Sequence, residues 1–120
     1  MIEMNTVTFT VPLTPPSINR YVRHTRGGRH YVQDAAVKFK EAVAIFAKGQ
    51  RLLGKSYSVT ATVFYGKGER GDLDNRAKLI LDGLQDARII HSDAAVTEIH
   101  LYRDRDRLQP RTEITVRIKP

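Results

Sequence analysis

Two carboxylates stand one residue apart, at Asp72 and Asp74, in a stretch Gly71-Asp72-Leu73-Asp74-Asn75-Arg76-Ala77-Lys78 that runs straight into an amphipathic pattern. Leu73, Ala77, Ile80 and Leu84 fall at i, i+4, i+7 and i+11, the spacing of one buried helical face, so a helix is expected from about Asp74. A carboxylate at the mouth of a helix can accept the open N–H groups of the first turn. The positive end of the helix dipole also helps to keep it ionised. If Asp72 closes an incoming strand, the two acids converge where strand hands over to helix, and paired oxygen donors of that kind suit Mg²⁺ or Mn²⁺. The plainer alternative makes Asp74 an N-cap and Lys78 its i,i+4 partner on the helix surface, with no chemistry attached.

The elements that position this pair come from a short chain. Its 120 residues are enough for one domain with a real core and leave no room for a second, so residues 1–120 are read as a single domain. Twenty Lys and Arg against thirteen Asp and Glu give a net charge of +7, which points to a polyanionic partner. The absence of Cys excludes disulfides, thiolate zinc sites and Cys nucleophiles together. No apolar run approaches a membrane span, and Met1-Ile2-Glu3-Met4-Asn5 lacks the layout of a signal peptide, so a cytoplasmic protein is expected.

Thr6 to Val11 alternates as a half-buried strand, ended by Pro12 and Pro15-Pro16. From Ser17 to Gln33 no period is sustained. Arg20, Arg23, His24, Arg26, Arg29 and His30 stand there without an acidic residue, flanked by Tyr21 and Tyr31. That composition describes either a solvated loop or a basic loop whose arginines fork onto phosphates. Asp34 is then the expected N-cap of a helix carrying Ala36, Phe39, Val43, Phe46 and Ala47, with Gly54 as its far limit. Tyr57 to Tyr65 alternates as a strand that leads through Gly66-Lys67-Gly68-Glu69-Arg70-Gly71 to the acids. After the central helix, His91-Ser92-Asp93 is a polar break, Val96 to Tyr102 a strand with Ile99 and Leu101 inward, and Arg103 to Arg107 a charged turn whose alternating signs read first as solvation and second as a nucleic-acid backbone contact. Ile114, Val116 and Ile118 mark the last strand, expected to form an antiparallel hairpin with the one before it. His91 and His100 show no metal-site spacing and are assigned to packing or the surface. The order β-α-β-α-β-β describes an α/β (α+β) domain, a small mixed sheet with two helices packed on it.

Asp72-Leu73-Asp74-Asn75, followed by Lys78, Asp82 and a later Asp93, resembles the active-site segment of the RusA-like Holliday junction resolvases. Pro15-Pro16-Ser17-Ile18-Asn19-Arg20-Tyr21 is similar to that family's Pro-Pro-Ser-x-Asn opening, and length and element order agree over nearly the whole chain. The resemblance implies a Mg²⁺-dependent, homodimeric endonuclease that cuts four-way DNA junctions and is often encoded by prophages. It implies Asp72, Asp74 and Asp93 as metal ligands and Lys78 as a catalytic aid. With the basic loop read as a phosphate-binding element, Asn19, Arg20, Tyr21, Arg23, Arg26, Arg29, Arg70 and Asn75 are the expected DNA contacts. The chain departs from the family at two points: Ser92 stands where a second acid often precedes the last Asp, and Gly71 follows Arg70 where a basic residue often precedes the first.

The same groups suggest a chemistry. Carboxylates that hold a divalent ion let it acidify a bound water and screen the phosphate from their own charge. Lys78 lies one turn into the helix, within reach of that phosphate. Two symmetric cuts are met most simply by a twofold dimer. A nuclease acting on RNA or flapped DNA, and a non-catalytic basic module using the acids only as caps, remain open at this level.

Overall fold

The computed structural model describes residues 5–17 and 27–120, with side chains from residue 34 onward in the second segment. Among these residues the elements are β1 (Thr6–Val11), α1 (Gly27–Ala47), β2 (Tyr57–Tyr65), a 3-10 turn (Asp74–Arg76) leading directly into α2 (Ala77–Asp86), a second 3-10 turn (Asp93–Ala95), β3 (Val96–Arg105) and β4 (Arg111–Ile118). The mixed four-stranded sheet with two helices matches the expected class. None of the described helices is long and apolar enough to cross a membrane.

Alternation in the strands is reproduced by burial. Val7, Phe9 and Val11 of β1, Tyr57, Val59, Ala61, Val63 and Tyr65 of β2, and Ile114 and Val116 of β4 all lie in one core with Phe39 and Val43 of α1 and Ile80 and Leu84 of α2. The helices approach closely where α2 has Gly83: a Cβ there would stand 3.1 Å from Val43 Cγ2. Truncating Ile80, which is fully buried, removes a side chain worth roughly 2–5 kcal/mol at such sites.

Four expectations are corrected. The helix expected from Asp34 begins at Gly27, so Asp34 is an exposed interior residue and no N-cap, and the segment from Gly27 to Gln33 is helix and not loop. Once Phe39, Val43 and Ala47 are docked, extending the helix toward its N-terminus adds a hydrogen bond for each residue fixed, which outweighs weak local propensity. At its other end the helix stops well before Gly54, because Lys48 (φ 57°) and Gly49 (φ 72°) turn left-handed. β3 runs on to Arg105, taking in part of the expected charged turn.

The fourth correction concerns the hairpin. β3 and β4 do not pair; the strand order is β1-β4-β2-β3, with β4 antiparallel to both β1 and β2 and β3 parallel to β2. The physical reason lies in β2-α2-β3, a crossover unit that delivers β3 to one side of β2 and leaves the other side for β4. The chain then crosses the end of β2, where the Asp106 N–H donates to Tyr65 O at 2.9 Å. Asp106 also organises the turn by accepting from the N–H groups of Leu108 and Gln109. β3 is thus an edge strand. Ile99 has the expected face but stays 39% exposed, since the helices do not extend over that edge.

Candidate active site

The acidic pair is carried by the loop that follows β2, and that loop is clamped by arginines. Arg76 is 4% exposed, donating through Nη1 to Pro15 O (2.8 Å) and Glu69 Oε2 (2.6 Å) and through Nη2 to Arg70 O. Its guanidinium carbon lies 4.4 Å from the centroid of the Tyr65 ring, whose hydroxyl donates to Gly71 O at 3.0 Å. Glu69 closes the loop on itself, accepting from the Gly66 N–H at 2.9 Å and from the Thr14 hydroxyl at 2.8 Å. From β3, Arg105 donates to Gly66 O at 2.8 Å and to Glu69 O at 3.3 Å. One buried ion pair therefore ties the residues before the first helix, the loop and the mouth of α2 together.

Gly71 then turns with φ 115°, a conformation that L side chains rarely adopt, and sets Asp72 and Asp74 outward. Asp72 is not at the end of a strand, since β2 ends seven residues earlier at Tyr65. Both aspartates are exposed. Neither is a cap: the residues at the N-cap positions of the 3-10 turn and of α2 are Leu73 and Arg76, and neither makes a side-chain cap. Among the described residues, neither carboxylate is committed to a hydrogen bond or an ion pair, while both stand at the positive end of the Asp74–Asp86 helical run. Exposed carboxylates without partners are the donor chemistry that a hard divalent ion takes, and they leave room for its waters.

Asp93 is tied to the same helix. It opens the second 3-10 turn, which Ser92 caps by accepting from the Ala94 N–H at 3.1 Å, and its own N–H donates to Gln85 Oε1 at 2.7 Å. Ser92 thus has a structural role at the position where the resemblance leads one to expect an acid. Lys78 pairs with Asp82 at 2.9 Å, not with Asp74. The hydrogen bond and charge of Asp82 raise the Lys78 pKa above its ordinary value, and the charge of Asp93 adds to the effect. Asp93 and Lys78 are therefore electrostatic neighbours. Among the described residues no three His, Cys, Asp or Glu side chains are gathered closely enough to enclose a metal ion, so Asp72, Asp74 and Asp93 do not form a closed cage within this chain.

Of the expected DNA contacts, Arg70 is exposed on the loop and Asn75 is half-buried in the 3-10 turn. Asn19, Arg20, Tyr21, Arg23 and Arg26 lie outside the described residues, and Arg29 falls in the first turn of α1, where only the backbone is described. His91 packs its ring 5.6 Å from Tyr57, and His100 pairs with Glu98, in keeping with structural roles. The residues that the sequence did not single out are Arg76, Glu69 and Gln85. Arg76 carried one signal in hindsight, a cation at the turn of the helix face that also buries Leu79 and Ile80.

The chain matches the family model described as Endodeoxyribonuclease RusA over residues 12–117. It is 32% identical over 116 residues to a protein of Enterobacteria phage 82 described as crossover junction endodeoxyribonuclease rusA, covering 94% of this chain and 95% of that one. The corresponding protein of Escherichia coli strain K12 gives the same identity and coverage. That of Shigella sonnei strain Ss046 is 30% identical over 115 residues.

Proposed function

The chain belongs to the RusA endodeoxyribonuclease family, and on that premise we propose that it is a divalent-metal-dependent endodeoxyribonuclease that resolves four-way DNA junctions by paired phosphodiester hydrolysis. The observation that carries the reading is the acidic pair itself: Asp72 and Asp74 are exposed and uncapped, and they are presented on a loop that a buried arginine clamp holds in place. A merely capping role would have tied these carboxylates to the backbone.

Asp72 and Asp74 would hold Mg²⁺, with Mn²⁺ as a substitute, and Asp93, which is not gathered with them in this chain, would complete the set only as the ion and DNA bind. When bound, the ion supplies an acidified water and positive charge for the phosphate. Lys78 serves the same phosphate from within α2. Its ammonium is charged at neutral pH as an ordinary lysine is, and Asp82 and then Asp93 favour that form further, so it is available to neutralise charge that develops on the phosphoryl oxygens. The Arg76 clamp fixes the acids in advance of substrate, which avoids ordering the loop during the reaction. Arg70 and Asn75 flank the pair as DNA contacts, and Asn19, Arg20, Tyr21, Arg23, Arg26 and Arg29 extend the basic surface. A homodimer presents one such site to each of two strands. The protein acts in the bacterial or phage-infected cytoplasm, where its DNA substrate lies.

The test is cleavage by the pure protein, with and without Mg²⁺, of sequence-matched four-way junction, duplex, flap, single-strand and RNA substrates. Symmetrically placed nicks confined to the junction and dependent on the metal are expected. Equal cutting of all substrates, preference for flap or RNA, or no metal-dependent cutting would overturn the assignment.

A further inference from the structure

We infer that the cleft beside the acidic loop seats a DNA phosphodiester next to the one that is cut, with Arg103 as its principal donor and Arg70 lining the same cleft. This rests on the reading of the chain as a DNA junction nuclease and adds to it a residue from β3. The cleft measures about 380 Å³ and is lined by Tyr65, Glu69, Arg70, Arg103, Asp104 and Arg105, together with Gly71, the residue directly before Asp72. Successive phosphates of one strand are separated by a single nucleotide, and the cleft adjoins the acids through Gly71, so a strand with one phosphate at the acids has a neighbouring phosphate on this side of the loop.

The charges of the cleft do not balance. Glu69 is spent on Arg76, at 2.6 Å. Among the described residues the Arg105 guanidinium donates only to neutral carbonyls, Gly66 O and Glu69 O, and pairs with no carboxylate. Among the described residues, Arg70 and Arg103 have no carboxylate partner. Strand register places Arg103 and Arg105 opposite Val63 and Tyr65, on the face that carries the clamp; Asp104, opposite Phe64, also lines the cleft, so the Glu69 and Asp104 carboxylates stand there against Arg70, Arg103 and Arg105, with Glu69 taken by Arg76. The Asp104 carboxylate accepts the Arg105 N–H, at 2.8 Å. Arg103 lies 5.5 Å from the Tyr65 ring centroid and Arg76 lies 4.4 Å from it, so two guanidinium groups share one ring and only one has a counter-ion. An anion in the cleft removes that imbalance. The planar guanidinium fork of Arg103, held against the ring, matches two oxygens of a phosphodiester, and a backbone phosphate is the anion that the substrate provides.

The experiment measures junction binding without divalent metal, so that no strand is cut, and replaces the phosphates around the branch point of the junction with neutral methylphosphonates one at a time. At one position, neutralisation should weaken wild-type binding by about tenfold, the lower end for a charge-assisted contact. Arg103→Ala should lose the same factor, should lose nothing further at that position, and should show a logarithmic salt dependence shallower by about one unit. Arg103→Lys should recover the salt slope but only part of the affinity, because an ammonium keeps the charge without the fork. The inference is overturned if Arg103→Ala binds with unchanged affinity and slope, or if its loss adds independently to that of every methylphosphonate. A wild-type protein that fails to cut junctions with Mg²⁺ would remove the nuclease reading instead, and the binding scan does not depend on that result.

Discussion

Replacing Arg76 with Ala should damage stability and turnover together, because one guanidinium serves both. The substitution removes donors from Pro15 O, Glu69 Oε2 and Arg70 O and leaves the Glu69 carboxylate, 20% exposed, with only the Thr14 hydroxyl and the Gly66 N–H. Removing one member of a buried pair costs about 3–5 kcal/mol. The partial exposure of Glu69 and its two remaining donors place this case at about 3 kcal/mol. With a total stability of roughly 5–15 kcal/mol for such a domain, the fold survives. A chain of this size should lose roughly 12 °C in Tm, at about 4 °C per kcal/mol. Urea unfolding followed by far-ultraviolet circular dichroism measures the first effect, since the chain has no Trp to report it. Glu69→Ala and the double variant complete a cycle in which the two losses should overlap by at least 1 kcal/mol, within the range of about 0.5–3 kcal/mol for residues in direct contact. Well below the melting range, single-turnover cleavage by Arg76→Ala should fall at saturating junction while binding changes little, because the released loop misplaces Asp72 and Asp74. Arg76→Lys should recover part of the rate. A stability loss under about 1 kcal/mol, or strictly additive losses in the cycle, would refute the clamp.

Asp72→Asn, Asp74→Asn and Asp93→Asn keep shape and lose charge; each should abolish Mg²⁺-dependent cleavage and leave junction binding intact or tighter. A variant cutting at near wild-type rate would remove that residue from the site. Lys78→Ala should slow single-turnover cleavage by about a hundredfold or more if the ammonium acts on the phosphate. If it only pairs with Asp82, at 2.9 Å, the loss should be confined to about 0.3–0.5 kcal/mol of stability with the rate unchanged. Glu98 is held by hydrogen bonds from Lys119, His100 and Ser58, which lower its pKa from 4.5 to about 2. Because the folded-state value is the depressed one, its stabilising contribution is present above about pH 4.5 and lost as the pH falls through about 2. The Tm gap between wild type and Glu98→Gln should therefore be constant from pH 7 to about 5 and close toward pH 2; a gap independent of pH would count against the network.

Local patterns carried a large part of this protein. The alternation of Val7, Phe9 and Val11, of Tyr57 to Tyr65, and of Ile114 and Val116 specified strands and their buried faces, because side chains alternate across a sheet whatever the strand pairs with. The helical spacing of Ile80 and Leu84 and the acidic pair before it were legible for the same reason, since each depends only on neighbours in the chain. Strand pairing was not. Val96 to Arg105 and Arg111 to Ile118 read as a hairpin because the turn between them is local, whereas the decision to separate them belongs to β2, which accepts one on each side. The start of α1 escaped likewise, since Gly27-Gly28 is locally a turn signal and the docking of Phe39 and Val43 overrides it. At the site, the sequence determined which residues carry charge, and only the tertiary structure decided how the charge is spent. Nothing in the sequence singled out Arg76, yet it is buried because Pro15 and the adjacent pair Glu69-Arg70 converge on it from two places in the chain. By sequence Asp72 and Asp74 read as a metal-binding pair, with helix capping as the plainer alternative, and among the described residues they are left without backbone partners, since Leu73 and Arg76 take the cap positions. A guanidinium or a carboxylate acquires its role from the partners that folding brings to it: Pro15 lies 61 residues from Arg76, and even Glu69 and Arg70, seven and six residues away, meet it only because the loop folds back on itself, which no periodic pattern records.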